Sequence, residues 1–336
     1  MFFSQKKYNS RFLTLILCLL PVLLTACNLF GGGNTPLPKR LVKAPASQQI
    51  FTVPEVGIAD FDTLDPALAH DPASIKAVQM VFTGLVQLDD RLQVRPQLAQ
   101  SWDESADGLT WTFHLRPHLK FSDGTALTSA DVAYSIDRAL QPTTQSTVAP
   151  LYLNLIKDAD QLLAGRISTL IGDSLQTPDA QTLVIVTKRN AAYFLPMLTN
   201  TCSYVVEKSL ISKYGAKFTD HLTEGGGAGP FKVAKYTHRE GIDFVPNANY
   251  YMNKPQLQKV SFVIYHSEDE AYQAYLANRV DITDVPISTY ANDKKLKDFS
   301  QVPQLWINYY AMNYLVKPFN NIHIRQAFAL AIDKTR

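Results

Sequence analysis

The sequence lacks the short signatures by which many catalytic and phosphate-binding chains can be recognised. No HExxH, GxSxG or GxxxxGK(S/T) occurs in its 336 residues, so the common zinc-protease, serine-hydrolase and phosphate-loop chemistries have no motif to rest on. Charge of one sign is also missing. With 32 basic and 30 acidic side chains the formal charge is +2, and no concentrated basic face is available for nucleic acid. Thiols are few: Cys18, Cys27 and Cys202 are all there are, too few for a thiolate metal cluster. The N-terminal apolar run, Phe12 to Ala26, is too short for an ordinary membrane span. No internal repeat recurs at a constant period.

What is present begins at the N-terminus. Lys6, Lys7 and Arg11 precede that apolar run, which ends in Leu24-Thr25-Ala26-Cys27. The order basic, apolar, small reads as a secretory signal over residues 1–26. Its last four residues resemble the lipobox of bacterial lipoproteins, which implies cleavage before Cys27 and acylation of the Cys27 thiol. Removing residues 1–26 takes away three basic and no acidic side chains and leaves a formal charge of −1. Cys202 then stands alone, without an internal disulfide partner. Residues 27–49 mix Gly, Pro and small polar residues without an apolar period and read as a flexible tether, spanning on the order of 25 to 70 Å. The remainder, about 290 residues in a chain that is 46% hydrophobic, is too much for one small domain and predicts two lobes.

Phe51 to Ile58 reads as a first strand, left through the turn Asp60-Phe61-Asp62-Thr63-Leu64-Asp65-Pro66. Ile75, Val78, Val81, Phe82 and Leu85 keep helical spacing over Ser74 to Leu85. In the strand Thr110 to Arg116, Trp111, Phe113 and Leu115 share one face and Thr112, His114 and Arg116 the other. Asp123-Gly124 predicts a turn, Thr128 a helix N-cap with Asp131 three positions on, and Val132, Ile136, Ala139 and Leu140 a buried stripe. Further strands are expected at Thr182 to Thr187, Phe231 to Tyr236 and Val260 to Tyr265, and helices at Glu268 to Asn278 and Ile324 to Ile332.

Three constellations could carry chemistry. His114 and His118 stand four apart, but Pro117 lies between them on a strand, so the helical ligand geometry cannot form. Gly225 to Pro230, "GGGAGP", leads into a strand and not a helix N-terminus; it reads as a bend where backbone approaches something closely. Asp60, Asp62 and Asp65 could form a carboxylate site, although turn chemistry accounts for them. A surface-anchored hydrolase or peptidase built on these aspartates is the alternative reading.

Several segments, in order, are similar to one family: "TLDPALAHDPASIKAVQMVFTGLVQLD", "PQLAQSWDESADGLTWTFHLRPHLKFSDGTALTSADVAYSIDRAL", "GAGPFKVAKY", "ANYYMN" and "YYAMNYLVKPFNNIHIRQAFALAID". They resemble the oligopeptide- and dipeptide-binding family (family 5) of solute-binding proteins that serve peptide and nickel ABC importers. Ala228 departs from the threonine usual in that family's GTGP turn. The resemblance implies an α/β fold of the periplasmic-binding-protein type II, two lobes around a cleft with an extra N-terminal subdomain. It implies a lobe with inserted subdomain over 50–265 and the start of a second lobe over 266–336, incomplete because the chain stops at Arg336. It also implies a non-enzymatic protein without cofactor or metal, monomeric, held by its lipid at the outer face of the cytoplasmic membrane. An oligopeptide or similar small solute and the membrane subunits of an importer are the expected partners. Candidate ligand contacts carried over by motif position are His70, Asp71, Ser74, Tyr152, Gly229, Tyr310 and Asn313. A peptide-sensing receptor would use the same cleft.

Overall fold

The computed structural model describes residues 44–301 and 309–333. The signal segment, most of the tether and Cys27 lie outside the described residues. Among the described residues no helix is long and apolar enough to cross a membrane.

Two sheets organise the chain. Strand β1 (Ile50–Val56) opens the first and the chain then leaves it. It forms helix α1 (Pro72–Val81), the hairpin β2 (Val86–Leu88) and β3 (Val94–Pro96), and strands β4 (Ala99–Glu104) and β5 (Thr110–Leu115). Helix α2 (Ser129–Leu140) and strands β6 (Leu175–Asp179) and β7 (Thr182–Val186) complete a second sheet of order β4-β5-β7-β6. After helix α3 (Lys208–Tyr214) the chain returns to the first sheet with β8 (Phe231–Thr237), β9 (Gly241–Pro246) and β10 (Lys259–Tyr265), giving the order β1-β10-β9-β8. Helices α4 (Glu268–Leu276) and α5 (Ile322–Ala331) follow.

Each sheet covers its own core. Under the second lie Phe113, Leu115, Val132, Ile136, Leu140 and Ile185; against the first lie Val78, Val81, Phe82, Phe218, Phe244 and Phe262. Local rules explain the elements. In β5, Trp111, Phe113 and Leu115 are buried while Thr110, Thr112 and His114 remain half-buried, the period of two that a one-sided strand requires. At α2, Asp131 Oδ2 accepts from the Thr128 N–H at 2.8 Å, satisfying a donor that the helix start leaves free. The turn before it is held by Asp123, which accepts from the Thr125 N–H at 2.8 Å.

The first helix differs from the sequence expectation at both ends. It starts at Pro72 because Asp71 is the N-cap, Oδ1 accepting from the Ser74 N–H at 2.9 Å, and proline fits the first helical position without losing a bond. It stops at Val81 because the Val81 carbonyl is taken by the Gly229 N–H at 2.8 Å. Phe82 and Leu85 keep the apolar spacing and are buried, but outside the helix, Phe82 with extended backbone and Leu85 at a bend. Strand β9 was not anticipated from sequence, and α5 begins two residues before the expected Ile324.

Candidate functional site

Strands β1 and β10 are parallel, in register from Ile50 opposite Lys259 to Val56 opposite Tyr265. In open α/β sheets ligands sit outside the carboxyl ends of parallel strands. Both strands lead from that edge into capped helix starts. Asp71 caps α1, and Ser267 caps α4, accepting from the Glu270 N–H at 3.1 Å. A third segment joins them. The Asp281 N–H donates to the Thr52 carbonyl at 3.0 Å, and Asp281 Oδ2 accepts from the Thr52 N–H at 2.7 Å. The chain after Asp281 therefore follows the free edge of β1 and brings Asp284 into electrostatic range of Glu55.

Glu55 is the unusual residue of this edge. It is 4% exposed. Its Oε2 accepts from Lys76 Nζ at 2.7 Å, while its Oε1 is buried without a partner among the described residues. Asp71 repeats the pattern: Oδ1 caps the helix and Oδ2 is buried and unpartnered. Burial pushes the Glu55 carboxyl above its ordinary value of 4.5; Lys76 pulls it down, and the charges of Asp71 and Asp284 push it up again. Burial acts upward on Asp71 too, but hydrogen bonds from the Ser74 hydroxyl and nearby backbone N–H groups leave it below 3.8.

The seven candidate contacts divide. His70 is exposed at this edge, Nδ1 3.2 Å from the Leu68 carbonyl and 3.7 Å from Asp62 Oδ2, and Asp71 lies beside it. Tyr152, 37% exposed, ends a helical turn tied to the chain leading to His70, since the Ser146 hydroxyl accepts from the Ala149 N–H at 2.9 Å and donates to the Ala67 carbonyl. Tyr310 is 79% exposed, and Asn313 Oδ1 accepts from the Leu315 N–H at 3.0 Å.

Ser74 and Gly229 are both engaged within the fold. Ser74 is fully buried and its hydroxyl accepts from the Thr63 N–H at 3.3 Å. Gly229 is buried with both backbone groups used, its N–H on Val81 and its carbonyl accepting from Asn247 Nδ2 at 2.9 Å. A Cβ at Gly227 would lie 2.1 Å from the Val81 oxygen. The glycine bend is thus where β8 meets the end of α1. Ala228 is 1% exposed, so a longer side chain there would enter the core and not a cleft.

The three aspartates diverge. Asp60 accepts from the Tyr236 hydroxyl at 2.9 Å and lies 2.8 Å from His238 Nδ1. Asp65 is buried against Arg138, and Asp62 faces solvent. Among the described residues no three His, Cys, Asp or Glu side chains are placed to hold a metal ion. Sequence reasoning missed Glu55 and Lys76, although a glutamate inside "IFTVPEV" is a signal that could have been read. Two recesses are lined by neither Glu55, Asp71 nor Lys76. One, about 320 Å³, sits beyond the C-terminal end of α1 between Thr83, Tyr204 and Tyr250; the other, about 440 Å³, opens beside Tyr134 and Arg138.

Comparison with known proteins gives a consistent result. Residues 93–336 match the model described as bacterial extracellular solute-binding proteins, family 5 Middle. The periplasmic murein peptide-binding protein MppA of Escherichia coli K12 is 33% identical over 279 residues, 81% of this chain and 51% of that protein. The periplasmic oligopeptide-binding protein OppA of Salmonella typhimurium is 29% identical over 286 residues, 82% and 51% of the two chains. Among solved structures, the periplasmic oligopeptide-binding protein OppAIV of Borrelia burgdorferi superposes with a TM-score of 0.75 at 30% identity, over 85% of this chain and 57% of that one. The fold is therefore the α/β periplasmic-binding-protein type II. The chain spans about half the length of the curated relatives it matches.

Proposed function

The chain belongs to the bacterial extracellular solute-binding proteins of family 5, and on that premise we propose that it captures a peptide or similar small solute for an ABC importer. Relatives named for binding murein peptide and oligopeptides support this solute class. The observation that carries it in this chain is the carboxyl edge of β1 and β10, where Asp71 and exposed His70 stand at the start of α1 and Glu55 at the end of β1. Binding without chemistry is the reading, with His70 and Asp71 as contacts and Tyr152, Tyr310 and Asn313 joining them as lobes close.

We further read residues 1–26 as a lipoprotein signal, Cys27 as the lipidated N-terminus, 27–49 as a tether, 50–265 as one lobe with its inserted subdomain and 266–336 as part of the next. On this reading a monomer works at the outer face of the cytoplasmic membrane. Calorimetry of the purified chain against mixed di- to pentapeptide pools tests the solute class; heat with nickel chelates or sugars and none with peptides overturns it. Mass spectrometry of the mature N-terminus tests the anchor: a start elsewhere than Cys27, or an unmodified thiol there, refutes it.

A further inference from the structure

We propose that Glu55 and Asp71 form a slot for a primary ammonium group of the solute, and that Lys76, on the other oxygen of Glu55, serves as its resident counter-ion when the solute is absent. The inference rests on the solute-capture reading above and names the chemistry of one of its subsites.

Three features converge. The first is place: Glu55 ends β1 and Asp71 starts α1, both at the carboxyl edge, and Asp284 is drawn alongside by the pairing of Asp281 with Thr52. The second is charge: Asp71 and Asp284 both act on Glu55, and only the Lys76 ammonium offsets them, so the local balance is negative and favours a cation when Lys76 turns away. The third is unmet hydrogen bonding. Glu55 is more than nine-tenths buried, yet its Oε1, like Asp71 Oδ2, has no donor among the described residues. A buried carboxylate oxygen without a donor costs free energy that an arriving N–H group recovers.

Lys76 suits the part of a removable occupant. Its Nζ lies 2.7 Å from Glu55 Oε2, but 48% of its side chain is exposed on a flexible four-carbon stem. Turned outward, it keeps its hydration and leaves both carboxylates to an ammonium of the same chemistry. A metal ion fits less well, because among the described residues no three His, Cys, Asp or Glu side chains, Asp284 included, are placed to hold one. A lysine side chain of the solute supplies the required group.

The test titrates the full chain, carbon-13 labelled in its glutamate carboxyls, with methylammonium and reads the Glu55 resonance. A saturable shift is expected. Lys76→Met should tighten the response about tenfold by removing the competitor, and Asp71→Asn, which keeps the helix cap, should weaken it about tenfold. A Glu55 resonance that moves with pH but never with methylammonium, in wild type and in Lys76→Met, overturns the slot and leaves a bound proton only. Calorimetry with Ala-Lys-Ala and its norleucine analogue separates the two levels. Equal affinities sink the slot while peptide capture stands; methylammonium saturation with no peptide heat sinks peptide capture while the slot stands.

Discussion

The Gly229 N–H donates to the Val81 carbonyl at 2.8 Å, and this one bond both ends α1 and seats β8 against it. The approach is so close that a Cβ on Gly229 would lie 2.6 Å from the Val81 carbonyl carbon, and the atoms it meets are backbone. Gly229→Ala should therefore cost roughly 1 to 3 kcal/mol, as overpacking of a rigid contact does. Urea unfolding of the two proteins measures it. An unchanged midpoint would mean that the helix end yields.

Arg138 and Asp65 join the two cores. The guanidinium Nη1 donates to Asp65 Oδ1 at 3.0 Å and Nη2 to Oδ2, and the arginine lies over the Phe218 ring at 5.3 Å. Both side chains are mostly buried, 14% and 6% exposed. Removing one partner strands the other charge, so Arg138→Met should cost about 3 to 5 kcal/mol. The double variant with Asp65→Leu should recover part of that loss in the same unfolding assay. No recovery would show that the arginine acts by packing alone.

Asp60 and Glu55 should bend the stability curve in opposite directions with pH. Partial burial acts upward on Asp60, but hydrogen bonds from His238, Tyr236 and nearby backbone hold it below 3.8. Its contribution is present above that value and disappears as pH falls through its lower folded value. Glu55 is raised, chiefly by burial, so its contribution is present below 4.5 and lost as pH rises through its higher folded value. Asp60→Asn should flatten the acid limb of a stability profile and Glu55→Gln the limb above 4.5. Parallel shifts in the two variants would contradict both assignments.

Legibility followed the range of the forces involved. The start of α2 and the faces of β5 were readable because Thr128, Asp131 and the Trp111, Phe113, Leu115 alternation act within a few residues. The glycine bend was readable as a close approach, but not its partner, because Val81 is remote in sequence. The end of α1 is hidden for the same reason: apolar spacing runs on through Phe82 and Leu85, and only the returning β8 shows why the helix stops. At the candidate edge, His70 and Asp71 stood in a readable motif. The burial of Glu55 and the arrival of Asp284 depend on the pairing of β1 with β10 and of Thr52 with Asp281, each across some two hundred residues, which no local pattern encodes.

Cys202 gives a chemical check on the second core. Burial pushes its thiol up to about 12 and the residue is 1% exposed, so thiolate is scarce and shielded. In the folded protein Cys202 should resist iodoacetamide, and it should react once urea unfolds the chain. Peptide mass mapping reads this site by itself. Rapid native alkylation at Cys202 would mean that the core opens there.

The region after β10 should be the first to yield to a protease. Helix α4 still buries Ala271, Tyr272 and Ala274, but α5 has no buried residue, with Phe328 50% and Leu330 86% exposed. Tyr309, Tyr310 and Leu315 are equally open, at 80%, 79% and 77%. At about 25 cal/mol per Å² of apolar surface, side chains this exposed contribute little to holding their segment, and cleavage follows the segments that open at least cost. Early cuts in limited proteolysis should fall after residue 265, while the part from Phe51 to Tyr236, with both cores, persists. Cuts appearing first within β4 to β7 would reverse that order and place the weakest packing in the second sheet.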